Sequence, residues 1–425
     1  MTDKPDLYLI HCHDLGDWLT TYGYPQIPSP NLDAFAATSV VFDRAFATAP
    51  LCTPARSSIF TGRLPHENGL MGLTHTGWTY RPDVPTLPEV VRSAGYHSAL
   101  IGLQHEDLDA RVLGFDEVHG LGFIPRALEV ATLTERWLAE NPDGAPFLLS
   151  IGMWEVHRPW PEEDYEPVDP ASVRVPDYLP DNEHTRRDIS QFYGAIRQMD
   201  EAFGRIVAAI DAHPRGRDAV IVFTTDHGVA FPRAKSTLYD SGVKVALMMR
   251  APGTWGVVAG RSDGMVSHLD LLPTLADFAG AKAPDGLSGL VLLDKSGVVD
   301  PGDRRLFLEK TYHDRYDPIR AVRTSTAKYI RNFVDAPALP LPTDLELSQT
   351  RVGMDDAHLR PRPPEELYLL TDDPSELNNR VDDPSLSALR EGLSRELDRH
   401  LRSTQDPVLA GAVAPPPAPV RGRRQ

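Results

Sequence analysis

The sequence predicts an α/β fold with a mostly parallel sheet sandwiched by helices, followed by a smaller C-terminal α+β subdomain with an antiparallel sheet. Three observations lead to this fold class. Short apolar runs alternate with helical segments, polar residues follow the ends of several of these runs, and beyond residue 304 strand-like runs follow one another without intervening helices. We therefore predict a main domain over residues 1–303, a subdomain over residues 304–404 and a disordered Pro-rich tail over residues 405–425.

The strands predicted in the main domain are compact apolar runs bounded by polar or turn residues, as in the buried strands of a parallel sheet. They cover residues 7–12, 40–46, 96–101, 146–151, 219–224 and 245–249. The helices predicted between them have apolar residues at helical spacing and cover residues 30–37, 86–94, 125–140, 186–212 and 269–279. The subdomain is predicted to contain strands at 305–309, 319–324, 328–333 and 366–370 and a helix at 386–400 that packs on them.

Composition and charge limit the classes of function. The chain of 425 residues is 41% apolar, enough for a large core, and its formal net charge of −17 argues against nucleic acid or an anionic membrane as a partner. Two cysteines exclude a disulfide framework. The start of the chain lacks the pattern of a signal peptide, and no apolar run approaches the roughly 20 residues needed to span a bilayer, so we expect a cytoplasmic protein.

The stretch 51–72 places a cysteine where its chemistry could matter. Pro54 suits the first position of a helix, so Cys52 would lie just before a helix N-terminus, where backbone N–H groups favour negative charge. Arg56, one turn on, adds a fixed positive charge. These residues indicate a reactive sulfur in an anion site, and a buried structural cysteine at a helix start explains them equally well.

Polar residues also follow the predicted strands of the main domain, at Asp14, His105, His157 and the pair Asp226-His227. Open α/β sheets bind their ligands beyond the carboxyl ends of strands. Taken singly, a lone histidine is more often structural and an Asp-Gly or His-Gly pair more often a turn. Four such positions at equivalent strand ends favour a shared site.

A metal site is the first interpretation of this pattern. Asp14 and Asp226 would supply carboxylates from two strand ends, His227 an imidazole, and His13 a fourth group. Because the set combines imidazole with carboxylate groups, manganese and zinc are candidate metals as well as calcium and magnesium.

The motifs resemble those of the formylglycine-dependent sulfatases, a family of the alkaline phosphatase superfamily. The resemblance covers nearly the whole chain and rests first on Cys52-Thr53-Pro54-Ala55-Arg56, which matches the C-x-P-x-R signature and is followed by Thr61-Gly62-Arg63-Leu64-Pro65. Asp14-Leu15-Gly16 and Thr225-Asp226-His227-Gly228 resemble the family's two metal segments, and Lys235 with Tyr239-Asp240-Ser241-Gly242 resembles the lysine and turn after the second. His157 before Pro159 resembles the substrate histidine, and the late structural signatures correspond to Asp270-Leu271-Leu272-Pro273-Thr274 and Glu366-Leu367-Tyr368-Leu369-Leu370. The fold implied is alkaline-phosphatase-like, with residues 1–303 as the catalytic domain.

The resemblance implies that a formylglycine-generating enzyme converts Cys52 to formylglycine, whose hydrated aldehyde attacks sulfur with the help of a divalent metal, calcium before manganese or zinc. Metal ligands would come from Asp14, Asp226, His227, the modified Cys52 and His13. By the same resemblance, Cys52 gives the nucleophile, Arg56 steadies its oxygens, and His105 takes the proton from the second hydroxyl of the hydrate. His157 and Lys235 would bind sulfate oxygens, and one of them would protonate the leaving group.

Two positions depart from the family pattern. His13 stands where the family usually has an aspartate, and Leu103 stands where it usually has a lysine. The Asp226-His227 pair, where many sulfatases have Asp-Asn, resembles that of relatives that hydrolyse phosphonate monoesters and phosphodiesters, often with manganese.

Two alternatives therefore stay open beside a sulfatase for a small sulfated substrate. One is a phosphonate or phosphate ester hydrolase with the same formylglycine and metal. The other is a non-catalytic binder of sulfated ligands, in which Cys52 stays unmodified and could act as a metal ligand or redox group. The sequence does not distinguish aryl, alkyl and sugar O- or N-sulfates, nor does it give the oligomeric state.

Overall fold

The computed structural model describes residues 4–120, 124–141, 144–255, 257–294 and 297–417. Within these residues a nine-stranded sheet forms the centre of the molecule. Its strands are β1 (Leu7–Cys12), β2 (Val40–Phe46), β3 (His97–Gly102), β4 (Glu117–His119), β5 (Phe147–Gly152), β6 (Val220–Thr225), β7 (Lys244–Val245), β8 (Leu247–Arg250) and β9 (Gly260–Ser267).

The predicted, mostly parallel sheet is confirmed. The strand order is β4-β3-β5-β1-β6-β8-β2-β7, with β9 paired to β2. The five strands from β4 to β6 run parallel, β8 is antiparallel to both of its neighbours, and β9 is parallel to β2. Parallel strands need crossover connections, which the helices supply.

Helices cover both faces of this sheet, so the strands at its centre are buried on both sides. Residues of β1 alternate between two apolar clusters, with Tyr8 and Ile10 in one and Leu7 and Leu9 in the other. The first cluster contains side chains of α1 (Pro30–Ala36), α5 (Ala127–Glu140) and α6 (Glu183–Ala212). The second contains side chains of α2 (Cys52–Thr61), α4 (Leu87–Arg92) and α8 (Leu271–Ala279). Short helices α3 (Pro65–Asn68) and α7 (Asp240–Val243) lie in the connections.

The C-terminal region contains the predicted antiparallel sheet. Two short strands, β10 (Leu293–Asp294) and β11 (Gly297–Val298), pair antiparallel before it. The strand order of the sheet itself is β12 (Leu306–Tyr312), β13 (Tyr316–Arg323), β14 (Ala327–Asn332), β15 (Glu365–Leu369). The short helices α9 (Thr343–Glu346) and α10 (Gln349–Val352) lie between β14 and β15, and α11 (Ser387–Ser403) packs on one face of the sheet. The other face packs against Phe46, Leu238 and Met265. The division into a catalytic domain and a subdomain stays a prediction.

Two expectations need correction. The tail is ordered well beyond residue 405, because Asp406 forms a buried ion pair with Arg320 and the residues Pro407–Ala410 form a helical turn. The backbone oxygen of Val413 accepts a hydrogen bond from Tyr312. The second correction concerns α2, which begins at Cys52 itself, so Pro54 occupies its third position. Its missing N–H still costs nothing there, since the first four N–H groups of a helix have no intrahelical partner.

Among the residues described, the helices are too short or too polar to cross a membrane.

Candidate active site

The carboxyl ends of four parallel strands form the base of one site. β3, β5, β1 and β6 are neighbours in the sheet, so the residues that follow them meet at one edge. β1 and β6 are in register through Cys12 and Thr225, which places the next residues of both strands side by side. The structure brings together here the residues predicted at strand ends, namely His13, Asp14, His105, His157, Asp226 and His227.

Five buried side chains form a compact cluster at this edge. The ligand atoms of His13, Asp14, Cys52, Asp226 and His227 all lie within 4.8 Å of one another. His227 Nε2 is 3.0 Å from Asp14 Oδ1, and His13 Nδ1 is 3.0 Å from Asp226 Oδ2. The backbone N–H of Asp14 donates to Asp226 Oδ1 at 2.9 Å, which ties the two strand ends together.

The donor set of this cluster fits a divalent metal. The Nδ1 of His227 donates to the carbonyl oxygen of Gly228 at 2.9 Å, so its Nε2 faces the cluster and can bind a metal that displaces its proton. Both His227 Nε2 and Asp226 Oδ2 are buried and form no oriented hydrogen bond, although His13 and Arg56 lie within about 3 Å of that oxygen. Buried polar atoms without hydrogen bonds are costly unless a ligand satisfies them.

The electrostatics of the cluster support the same interpretation. Burial opposes charge on His227, but the carboxylates of Asp226 and Asp14 outweigh it and raise the pKa of His227 to about 10. Burial likewise opposes charge on Asp14, but Lys235 together with the neighbouring histidines outweighs it and holds the pKa of Asp14 well below its usual value. For Asp226, His13 is the largest of the influences that overcome burial and lower the pKa. The two carboxylates are therefore ionised and attract a cation.

Cys52 reaches the cluster from the start of α2. Leu51 precedes the helix in extended conformation, and every residue of α2 is buried. Burial raises the pKa of the Cys52 thiol, but the positive charges of His13 and Lys235 and a hydrogen bond from His105 outweigh it and bring that pKa well below its usual value. These positive charges favour an anion at position 52, and Cys52 lies among side chains that could hold a metal, which a purely structural cysteine does not explain.

Arg56 lies beneath the cluster and is fully buried. Its Nη1 contacts His11 Nδ1 at 2.8 Å, and its Nη2 donates to the carbonyl oxygen of Cys12 at 2.9 Å. The same Nη2 is 3.1 Å from Asp226 Oδ2. Arg56 thus neutralises one of the two carboxylates and fixes its position.

Lys235 and His157 lie on the other side of the cluster. Lys235 Nζ is 2.7 Å from Asp14 Oδ2, 2.8 Å from Asp344 Oδ2 and 3.4 Å from His157 Nε2. The Nδ1 of His157 donates to the carbonyl oxygen of Arg158 at 2.5 Å, which directs Nε2 towards Lys235. Burial and, next to it, the charge of Lys235 lower the pKa of His157 to about 4. The pair offers one fixed cation and one neutral imidazole side by side.

His105 is held by the loop that follows β3. Its carbonyl oxygen accepts a hydrogen bond of 2.6 Å from Thr53, and its ring lies 6.2 Å from that of His13. The ring of His75 stacks on it at 6.0 Å. Leu103 is 6% exposed, and its backbone N–H donates to Gly152 at the end of β5, so the departure from the family pattern lies at the same edge of the sheet.

Three polar residues of this region escaped the sequence analysis: His75, His313 and Asp344. Each comes from a turn or a short helix rather than from the end of a strand, so neither periodicity nor motif marked it. Burial and the charge of Lys235 lower the pKa of His313 to about 4, which shows that the turn after β12 faces the same site. Asp344 was the least foreseeable, because it comes from the C-terminal region.

Comparison with known proteins identifies the family. The model of the family described as Sulfatase matches residues 9–281, more than half of the chain. The chain belongs to the sulfatase family. Sulfatases are sulfuric ester hydrolases, so the protein is an enzyme of that class.

Two curated relatives cover most of the chain. N-sulphoglucosamine sulphohydrolase of Homo sapiens is 26% identical and aligns with 91% of this sulfatase and 88% of its own length. Choline-sulfatase of Rhizobium meliloti (strain 1021) is 24% identical, with 90% and 83% covered.

Solved structures confirm the alkaline-phosphatase-like fold of this sulfatase. A 2-O GAG sulfatase has a TM-score of 0.71 at 19% identity, with 96% of this chain and 94% of that chain covered. The phosphonate monoester hydrolase of Agrobacterium radiobacter has a TM-score of 0.73 at 21% identity, with 96% and 97% covered. At these identities the likeness concerns the fold alone.

Proposed function

We propose that this enzyme hydrolyses sulfate esters or N-sulfates with a formylglycine formed from Cys52 and a divalent metal. The observation that carries the proposal is the position of Cys52, buried at a helix N-terminus within 4.8 Å of the ligand atoms of two aspartates and two histidines. A formylglycine here supplies an aldehyde whose hydrate is the nucleophile. Its formation requires a formylglycine-generating enzyme as a partner during maturation.

The metal would be held by Asp14, Asp226 and His227, together with position 52 and His13. Calcium suits the two carboxylates best, and the imidazoles also suit manganese or zinc. When bound, the cation supplies positive charge that makes an adjacent oxygen easier to ionise.

The remaining roles fall to side chains of the chain itself. Lys235 binds an oxygen of the sulfuryl group, and His157 does the same once its Nε2 is protonated in the presence of the anionic substrate; one of the two gives a proton to the leaving group. His105, whose hydrogen bond reaches position 52, takes a proton there. Arg56 steadies position 52 indirectly, since its guanidinium holds Asp226 and the carbonyl oxygen of Cys12. Cations placed where charge develops stabilise a transition state of this kind.

A phosphonate monoester or phosphodiester hydrolase is the second candidate. The Asp226-His227 pair in the cluster favours it, because this pair resembles the metal-binding pair of such relatives. The retained Lys235 and His157 favour sulfate, since both groups lie together beside the cluster.

The first experiment compares an aryl sulfate with an aryl phosphonate monoester of the same phenol, each with calcium or with manganese. We expect kcat/KM for the sulfate to exceed that for the phosphonate by at least about tenfold, which corresponds to about 1.4 kcal/mol in the transition state. A preference of that size for the phosphonate would establish the second candidate. Binding of a sulfated ligand without turnover of either ester would favour the non-catalytic binder.

A further inference from the structure

A groove of about 620 Å³ opens beside the catalytic cluster. It lies between the segment that follows β5 and the short helices α9 and α10, and it reaches the cluster at Asp344. Its walls combine apolar and polar groups, and they include Arg158, Pro159, Pro161, Asp344, Leu347 and Gln349. Leu347, directly after α9, is 82% exposed and offers an apolar surface to a ligand in the groove.

Asp344 is the residue that joins this groove to the site of reaction. Its Oδ2 is 2.8 Å from Lys235 Nζ, and its side chain is 22% exposed. Within the described residues no donor contacts its Oδ1, so this oxygen is open to a ligand. The carboxylate of Asp314 accepts a hydrogen bond of 2.8 Å from the backbone N–H of Thr343, and this bond fixes the start of α9 that carries Asp344.

The cation in the lining of the groove is already paired. Arg158 binds Asp188 through both of its terminal nitrogens at 2.7 Å. Its charge is therefore offset by Asp188. Asp344 shares the single charge of Lys235 with Asp14, so its carboxylate leaves the lining of the groove with a net negative charge. Outside the lining, Arg187 is held by Glu162 at 3.0 Å.

Arg351, which also lies near the groove but outside its lining, is paired with Asp356 at 2.9 Å. A groove that received a polyanionic chain would present unpaired cations along its length. This one presents a carboxylate at the point closest to the reaction.

We propose that Asp344 is a specificity-determining residue that accepts a hydrogen bond from the leaving group, so that the enzyme prefers sulfate esters of cationic or neutral alcohols over esters that carry a second anion beside the sulfate. This inference rests on the proposed function and narrows its substrate class. An ammonium or hydroxyl group three bonds from the ester oxygen donates to Asp344 Oδ1, whereas a carboxylate in a similar place meets a like charge.

The test uses three alkyl sulfates of similar size: 2-aminoethyl sulfate, propyl sulfate and 2-carboxyethyl sulfate. For the mature enzyme we expect kcat/KM to fall in this order, with at least about a fivefold step between the cationic and the neutral ester, as for one partly exposed charge pair. Asp344→Asn keeps the size of the side chain and removes its charge. We expect it to reduce that step to less than about twofold, and we expect Asp344→Glu to restore part of it.

Glu346→Gln is the matched control, because Glu346 lies in the same helix α9, pairs with Arg351 at 3.5 Å and is not part of the groove. Glu346→Gln should leave the ranking of the three esters unchanged, and the thermal unfolding temperatures of Glu346→Gln and Asp344→Asn should be equal. Turnover of all three esters without a ranking, or a ranking that survives Asp344→Asn, would overturn this inference and leave the proposed function intact. Failure to hydrolyse any of the three while phosphonate esters are hydrolysed would contradict the proposed function and this inference with it.

Discussion

Asp14 is the residue on which the contacts of the active site converge. Its two carboxylate oxygens face His13, His227 and Lys235 at 2.9, 3.0 and 2.7 Å. Its backbone has a φ of 55°, in the left-handed region that residues other than glycine seldom adopt. Such a conformation persists where the surroundings hold it, and the hydrogen bond from its N–H to Asp226 does so here. The strained turn directs the carboxylate into the cluster.

The metal proposal is tested at Asp226. Asp226→Asn keeps the shape but removes the charge of one carboxylate, so we expect bound divalent metal to fall from about one ion per chain to below about a tenth of that. Turnover should fall with it. The measurement is elemental analysis of the purified variant. Asp17→Asn is the control, since Asp17 follows closely in the same loop but pairs with Lys244 at 2.8 Å. Wild-type metal content in Asp226→Asn would contradict the assignment.

Most of the site residues could be predicted from the sequence because they follow strands that the apolar pattern reveals. Asp14, His157 and Asp226 each come within a few residues of a strand end. Asp344 could not be predicted, because it contacts Lys235 from a segment 109 positions later. The contact depends on how the C-terminal sheet docks, which local sequence does not encode.

At the scale of elements, the strands at the centre of the sheet were the easiest to predict. β1 has the predicted bounds because full burial demands nearly continuous apolar residues. β2 also has the predicted bounds, although Asp43 and Arg44 in its middle are only partly buried. β9 was missed, since Gly260–Ser267 contains few apolar residues and its pairing with β2 supplies the strand geometry. The predicted strand at 245–249 is interrupted, with β7 and β8 pairing to different stretches of β2.

The ordered part of the tail also belongs to this scale. Asp406 and Arg320 are both buried, and Arg320 donates through Nε and Nη2 to the two oxygens of Asp406. Asp406→Ala removes the carboxylate that both Nε and Nη2 of this buried guanidinium bind, so we expect the free energy of unfolding to fall by about 3 kcal/mol. Urea denaturation measures the loss. Removal of the residues after 414 is the control and should change it by less than about 0.5 kcal/mol. Equal stabilities of Asp406→Ala and the wild type would show that the tail is not anchored there.

For the molecule as a whole, buried neutral histidines make the free energy of unfolding depend on pH. The ring of His400 stacks on Phe307 with centroids 3.6 Å apart. Burial, and next to it the charge of His66, lowers the pKa of His400 to about 4. Because this lies below the usual value of about 6.5, the folded state binds fewer protons than the unfolded state between the two values. His400 therefore contributes stability that is complete above pH 6.5 and is lost as the pH falls to about 4.

His400→Phe keeps a ring against Phe307 and removes the titration. We expect the loss of unfolding free energy between pH 7 and pH 4 to be smaller in this variant, by up to about 3 kcal/mol for one group with this shift. Denaturation at both pH values measures it, and His97→Phe is a control at a more exposed position, where the side chain is 41% exposed. An identical pH dependence in His400→Phe and the wild type would contradict the shift.

The sheet, the start of α2 and the charges around Cys52 converge on position 52, the proposed nucleophile. Mass spectrometry of the peptide that contains Cys52 tests this proposal on protein made in a host with a formylglycine-generating enzyme. We expect an aldehyde in place of the thiol at position 52, whereas Cys12, buried in β1, should keep its thiol in the same sample. A product in which position 52 remains entirely cysteine would contradict it.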